Sequence, residues 1–116
     1  MRVALLHNLA ENAPQPNPDA PHDILYELDH PKNIEAYKHA IEAGGHEVFP
    51  MDGDAYVAQR LKDLSIDICF NQCEGYRGDS REAQIPALLE MIGVPYVGSK
   101  VLALALTLDK SMTKRV

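Results

Sequence analysis

Short apolar runs bounded by polar residues alternate along this chain with stretches in which apolar residues recur every three or four positions. Val3-Ala-Leu-Leu-His7 and Asp67-Ile-Cys-Phe-Asn71 are runs of the first kind, and their unbroken apolar character predicts central parallel strands buried on both faces. His46-Glu-Val-Phe-Pro50 predicts a third, shorter strand. Val94-Pro-Tyr-Val97 predicts a fourth, which Pro95 shortens because it has no amide to give to a ladder.

The helical spacings lie between these runs. Pro31, preorganised for a first helical turn, opens a stretch that sets Ile34, Tyr37 and Ile41 on one face and ends at Gly44-Gly45. Residues 55–64 make a weaker helix with Val57, Leu61 and Leu64 in one stripe. Ile85, Leu88, Leu89 and Ile92 follow the i, i+3, i+4, i+7 rule, and Gly93 closes that helix. Pro86 is tolerated only in a first turn, so the helix begins near Glu82 or Ala83 and residues 72–81 remain a loop.

Strands alternating with helices read as an α/β domain: a Rossmann-like, open, mostly parallel sheet of about four strands with helices on both faces. Ligands of such sheets sit beyond the carboxyl ends of the strands. Two loops reach that edge, residues 8–30 and residues 72–81. The first is longer than a compact domain carries without a use, and its run Ala13-Pro-Gln-Pro-Asn-Pro18 favours extended backbone. No internal repeat and no linker divides the chain.

Composition narrows the function classes. With 116 residues, 46% of them hydrophobic, there is material for one core and not for two. A formal net charge of −6 argues against a phosphate-backbone partner, which needs a basic surface. The apolar run after Met1 is too short for a signal peptide, and residues 101–106 are too few to cross a bilayer, so a soluble, cytoplasmic protein with no nucleic-acid or membrane partner is expected. Two cysteines suit a reducing compartment rather than a disulfide framework. Cys69 falls in a strand and Cys73 in a loop; no further ligand is spaced to complete a zinc site with them. His22 and His30, with Asp23 and Asp29 in the same loop, lack the i, i+4 spacing of a helical metal site, so no metal ligand is expected.

On residue types alone, Glu74, Arg77 and Arg81 read as solvated loop charges. Gly75 and Gly78 read as turn glycines, Asp79, Ser80 and Glu82 as helix caps, His7 as a core or capping histidine, and Lys110, Lys114 and Arg115 as a cationic helix end. Longer patterns change that picture. Phe70-Asn-Gln-Cys-Glu-Gly-Tyr-Arg-Gly-Asp-Ser-Arg-Glu-Ala-Gln-Ile-Pro-Ala-Leu-Leu-Glu runs into Met91-Ile-Gly-Val-Pro-Tyr-Val-Gly-Ser99, and Leu102-Ala-Leu-Ala-Leu-Thr-Leu-Asp-Lys-Ser-Met-Thr-Lys114 follows. In this order of strand, glycine-bearing loop, helix, Gly-Val-Pro-Tyr-x-Gly-Ser, short helix and Asp-Lys-x-x-Thr-Lys, the chain resembles the amino-terminal, pre-ATP-grasp domain of the D-alanine:D-alanine ligase-like ATP-grasp family. The resemblance is close from Asp67 onward and loose over residues 8–30.

The resemblance implies a substrate domain over residues 1–98, with residues 99–116 starting the connection into the nucleotide-binding region. It implies an enzyme in which ATP, with Mg²⁺, phosphorylates a carboxylate and an amine attacks the acyl phosphate to form an amide, the dipeptide chemistry of peptidoglycan precursors. Lys110 is then the residue that approaches the nucleotide phosphates, while most of the ATP and Mg²⁺ site follows Val116, so that this chain alone is inactive. Two departures bear on the substrate. The family's Gly-Gly-x-Ser-x-Glu-Arg-Glu-Val-Ser signature is replaced by His7-Asn-Leu-Ala-Glu-Asn12 and Tyr26-Glu-Leu-Asp-His30. Its His-Gly-(Arg/Lys)-x-Gly-Glu-Asp-Gly loop reads Glu74-Gly-Tyr-Arg-Gly-Asp-Ser-Arg81 and is slightly longer. Glu74, Arg81 and Glu27 are accordingly the candidate contacts to an amino-acid-like substrate, with Asp29 able to stand in for Glu27, and the amino acid itself is left open. A stand-alone α/β module that binds a small ligand or forms a homodimer without catalysis is the competing reading.

Overall fold

A computed structural model describes residues 1–15, 17–20, 25 and 28–116. Its strands are β1 (Arg2–His7), β2 (Glu47–Asp52), β3 (Ile68–Asn71) and β4 (Tyr96–Val97). Its helices are α1 (Pro31–Ala43), α2 (Val57–Asp63), α3 (Gln84–Ile92), α4 (Val101–Leu108) and α5 (Lys110–Arg115), with single 3₁₀ turns at Ala10–Asn12 and Arg81–Ala83. The four strands form one sheet in the order β2-β1-β3-β4, every pair parallel. This is the expected α/β architecture.

The period-2 alternation of strand side chains divides the core in two. Ala4 and Leu6 of β1 point with Met51 and Cys69 toward α2 and α3, where Val57, Leu61, Ile85 and Leu89 close over them. Leu5 points the other way, with Val48, against Ile34 of α1. The registers Ala4↔Cys69 and Leu6↔Met51 explain which residues share a face. Because β1 has neighbours on both edges and helices on both faces, Ala4, Leu5 and Leu6 are all fully buried.

The differences from the sequence reading have local causes. β2 runs two residues past Pro50, to Asp52. It is an edge strand, where a proline's missing amide costs no ladder bond. That extension pairs His7 with Asp52 and carries a carboxylate to the ligand edge. Residues 81–83, expected as loop and helix start, make a 3₁₀ turn, and α3 proper starts at Gln84 with Pro86 still in its first turn. Gly93 ends α3 in the left-handed conformation at φ 76°. Ile92, the last residue of the apolar stripe, is exposed at the end of α3. Cys73 is a loop residue by backbone yet buried by side chain: it lies against Gly53, where any Cβ would collide with its sulfur.

After β4 the chain enters α4, whose sequence VLALALTL is almost wholly apolar and yet has no buried residue. α5 follows at once, capped by Asp109, whose Oδ1 accepts from the Met112 amide at 2.9 Å. Among the described residues no helix is long and apolar enough to cross a membrane.

Leu89 is fully buried beneath the sheet. Leu89→Ala is expected to cost about 2–5 kcal/mol of stability, read as a lower urea midpoint with an unchanged slope.

Candidate functional site

The direction of the chain across the sheet reverses at β1. From β1 it passes through α1 to β2 on one side, then returns through α2 to β3 on the other. At such a reversal the loops leaving adjacent strands diverge to opposite faces and open a crevice at their carboxyl ends. His7, Asp52 and Asn71 end the three strands there.

Asn8, the first residue beyond β1, is fully buried in this crevice. Its Oδ1 accepts from the Gly75 amide at 2.8 Å, and its Nδ2 donates to the Gly53 carbonyl at 3.3 Å and to Asp52 Oδ1 at 3.4 Å. Its backbone carbonyl accepts from the Asp29 amide at 2.9 Å. The Tyr76 hydroxyl donates to Asp52 Oδ1 at 2.7 Å, with the Leu9 carbonyl further off at 3.2 Å. Burial and this bond to a carboxylate both push the Tyr76 hydroxyl far above its ordinary value, so it stays a donor. Arg60 of α2 donates to the Asp52 carbonyl at 2.8 Å and pairs with the Asp54 carboxylate.

His7 joins this network through its backbone carbonyl, which accepts from the Gly53 amide at 2.8 Å, while its imidazole lies beside it. Its Nδ1 is buried, has no hydrogen-bond partner among the described residues, and stands 3.9 Å from Asp52 Oδ1. Burial lowers its pKa despite the opposing pull of Asp52 and Asp29, so the folded protein prefers the neutral imidazole. Asp29 is shifted upward, again by burial first, with the Asn8 amide partly restoring the charged form. Burial likewise raises Cys69, to about 12, and Cys73, so both thiols are protonated near neutral pH and poor metal ligands. Among the described residues no group of three or more His, Cys, Asp or Glu is placed to hold a metal ion.

The loop between β3 and α3 separates two concavities. On one side is a cleft of about 710 Å³ whose polar lining includes Asp52, Asp54, Tyr76 and Gln84. On the other is a more open groove of about 770 Å³ between Gly78, Asp79, Arg81 and Glu82 and the α4–α5 junction. Arg81 and Lys110 both line this second groove, which brings together two candidates 29 positions apart in sequence. Lys110 is exposed, and its neighbour Asp109 is engaged as the cap of α5. Glu74 is half-buried on the strand side of Gly75. Gly75 takes φ 76°, and a Cβ there would stand 2.6 Å from the Arg81 carbonyl, so the backbone of Arg81 is seated on Gly75. Glu27 lies outside the described residues. Local sequence does not mark Asp52 or Tyr76 as site residues, and marks Asn8 only as a polar residue directly after an apolar strand.

No family model matches the chain. It is similar to the D-alanine--D-alanine ligase of Moorella thermoacetica, 42% identical over 85 residues that make up 73% of this chain and 27% of that protein. The D-alanine--D-alanine ligase of Desulforudis audaxviator is 39% identical over 66% of this chain and 24% of its own length. The D-alanine--D-alanine ligase B of Xanthomonas campestris pv. campestris is 40% identical over the same shares, 66% and 24%. The chain thus spans about a quarter of the length of the curated relatives it matches. In fold it resembles the crystal structure of D-alanine--D-alanine ligase from Bacillus anthracis complexed with ATP, with a TM-score of 0.53 over 99% of this chain and 34% of that one, at 19% identity.

Gly75→Ala is expected to destabilise the protein by about 1–2 kcal/mol from the left-handed backbone alone, with the Arg81 contact adding to it, as read by urea unfolding. His7 supplies a pH test. The unfolded imidazole binds its proton below pH 6.5 while the folded one resists it, so stability falls as the pH drops below that value. His7→Gln is expected to flatten this fall relative to wild type, measured as unfolding midpoints from pH 7.5 downward.

Proposed function

We propose, for a chain that is the amino-terminal domain of a D-alanine:D-alanine ligase-like ATP-grasp protein, that the full-length protein joins a carboxylate to an amine at the expense of ATP. The reaction passes through an acyl phosphate. The observation that carries this reading is the similarity to D-alanine--D-alanine ligases over 73% of the chain at 42% identity. The open groove beside the β3–α3 loop supports it, since a cation from each wall, Arg81 and Lys110, faces the same space.

In this reading the chain's task is to bind and orient. Lys110, the first residue of α5, extends its ammonium toward the nucleotide phosphates, where a fixed cation offsets charge that grows as the terminal phosphoryl group is transferred. Arg81 offers the planar fork that matches a carboxylate. Glu74 and Glu27 supply the anionic contacts for a substrate ammonium. Mg²⁺ would neutralise phosphate charge in the assembled site; the described residues of this chain hold no group of three or more His, Cys, Asp or Glu placed for it. The acyl phosphate must also be shielded from water. The open shape of the groove leaves that to the remainder of the protein, so the chain by itself is inactive.

Full-length protein supplied with Mg²⁺, ATP and pairs of amino acids, D-alanine among them, is expected to release ADP. Lys110→Ala is expected to lower kcat/KM for ATP about tenfold or more, the loss of one charge-assisted contact to phosphate. No ADP release with any amino-acid pair defeats the ligase reading. Unchanged ATP kinetics in Lys110→Ala removes that residue from the site.

A further inference from the structure

We propose that Asn8 is a positioning residue that holds the β3–α3 loop in register for substrate, so that the placement of Glu74 and Arg81 is set by one buried amide at the end of β1. The inference rests on the proposed substrate role of those two residues. Asn8 is fully buried, and its side chain reaches two different loops: the one after β2, through Gly53 and Asp52, and the one after β3, through Gly75. The orientation of its amide is determined by these partners. The Gly75 amide can only donate, so it requires the oxygen; the Gly53 carbonyl and the Asp52 carboxylate accept, so they require the nitrogen. No apolar side chain satisfies both ends, and an ionised Asp would set a second carboxylate against Asp52.

The consequence travels through Gly75. Its amide is held by Asn8 at 2.8 Å, its φ is 76°, and the Arg81 backbone is seated where a Cβ would be. Glu74 precedes Gly75 directly, and Arg81 closes on it. Fixing one amide therefore fixes the start and the end of the loop together. Tyr76 adds a bond from the next residue to Asp52, the same carboxylate that Asn8 contacts.

Two readouts test the role. In this chain the Gly75 amide is expected to exchange with solvent slowly, and in Asn8→Ala at least about fivefold faster, the loss of a net hydrogen bond, while the ladder amides of β1 and β3 keep their protection. Tyr76→Phe should leave Gly75 protected. Asn8→Asp is isosteric: it keeps an acceptor for the Gly75 amide in either charge state and supplies the donor only when its carboxyl is protonated. Gly75 should therefore stay protected in Asn8→Asp, while the stability lost relative to wild type should be regained as the pH is lowered and the carboxyl becomes a donor to the Gly53 carbonyl; this variant carries the test should Asn8→Ala fail to fold. In the full-length protein with D-alanine, ATP and Mg²⁺, Asn8→Ala is expected to raise the KM for D-alanine about tenfold, with the KM for ATP and kcat little changed. Wild-type exchange at Gly75 in Asn8→Ala, equal loss of protection in Tyr76→Phe, or loss of Gly75 protection in a folded Asn8→Asp would each overturn the proposal. If the wild-type protein turns over no D-alanine, it is the substrate reading that fails, and the exchange of Gly75 still decides what Asn8 does.

Discussion

A strand enclosed on both faces and both edges leaves its neighbours very little freedom, and β1 is such a strand. Leu5, Leu6 and Ala4 have no exposure, and water cannot reach the backbone between them. Their amides and carbonyls must pair within the sheet, since an unpaired buried backbone group costs about as much as a lost hydrogen bond. β2 and β3 supply those partners, one on each side. Because both pair in parallel with β1, each connection must cross the sheet, and the crossovers α1 and α2 cover opposite faces. The two core clusters are consequences of that enclosure.

The same enclosure creates the site. Where β1 stops, the first residue beyond it is still surrounded by protein, yet ladder pairing ends there. Asn8 fills that position with a side chain able to both donate and accept, and the loops after β2 and β3 are anchored to it. The crevice is in this sense a continuation of the sheet's hydrogen bonding by side chains. Around it burial dominates the electrostatics: it lowers His7 and raises Asp29, and for each it outweighs the neighbouring charges. A crevice of this kind holds neutral imidazole and protonated thiols more comfortably than exposed charges. The charged candidates, Arg81 and Lys110, stand outside it, lining the open groove.

α4 is the apolar element that the core leaves out. Eight residues, seven of them apolar, form a helix without a single buried side chain. Periodicity cannot orient such a helix, because apolar residues occur all round it. Its proximity to the 3₁₀ turn at Arg81–Ala83 nevertheless aligns the α4–α5 junction with the β3–α3 loop. That proximity is why Lys110 and Arg81 share a groove.

The sequence by itself determined the class of the fold, most element positions and the family. Strand burial and helical amphipathicity are written in local periodicity, and the segment from Phe70 to Lys114 is a long ordered pattern rather than a single motif. It also marked Glu74, Arg81 and Lys110, though by resemblance and not by chemistry legible in the residues. Only the tertiary structure decided that Arg81 and Lys110 face one space, that Cys73 is buried, and that β2 continues through Pro50 to deliver Asp52. It alone revealed Asn8 as the point where the loops meet. The reason is physical. Periodicity records which way a side chain faces within its own element, whereas a buried hydrogen bond between Asn8 and Gly75 spans 67 positions and leaves no periodic trace in either segment.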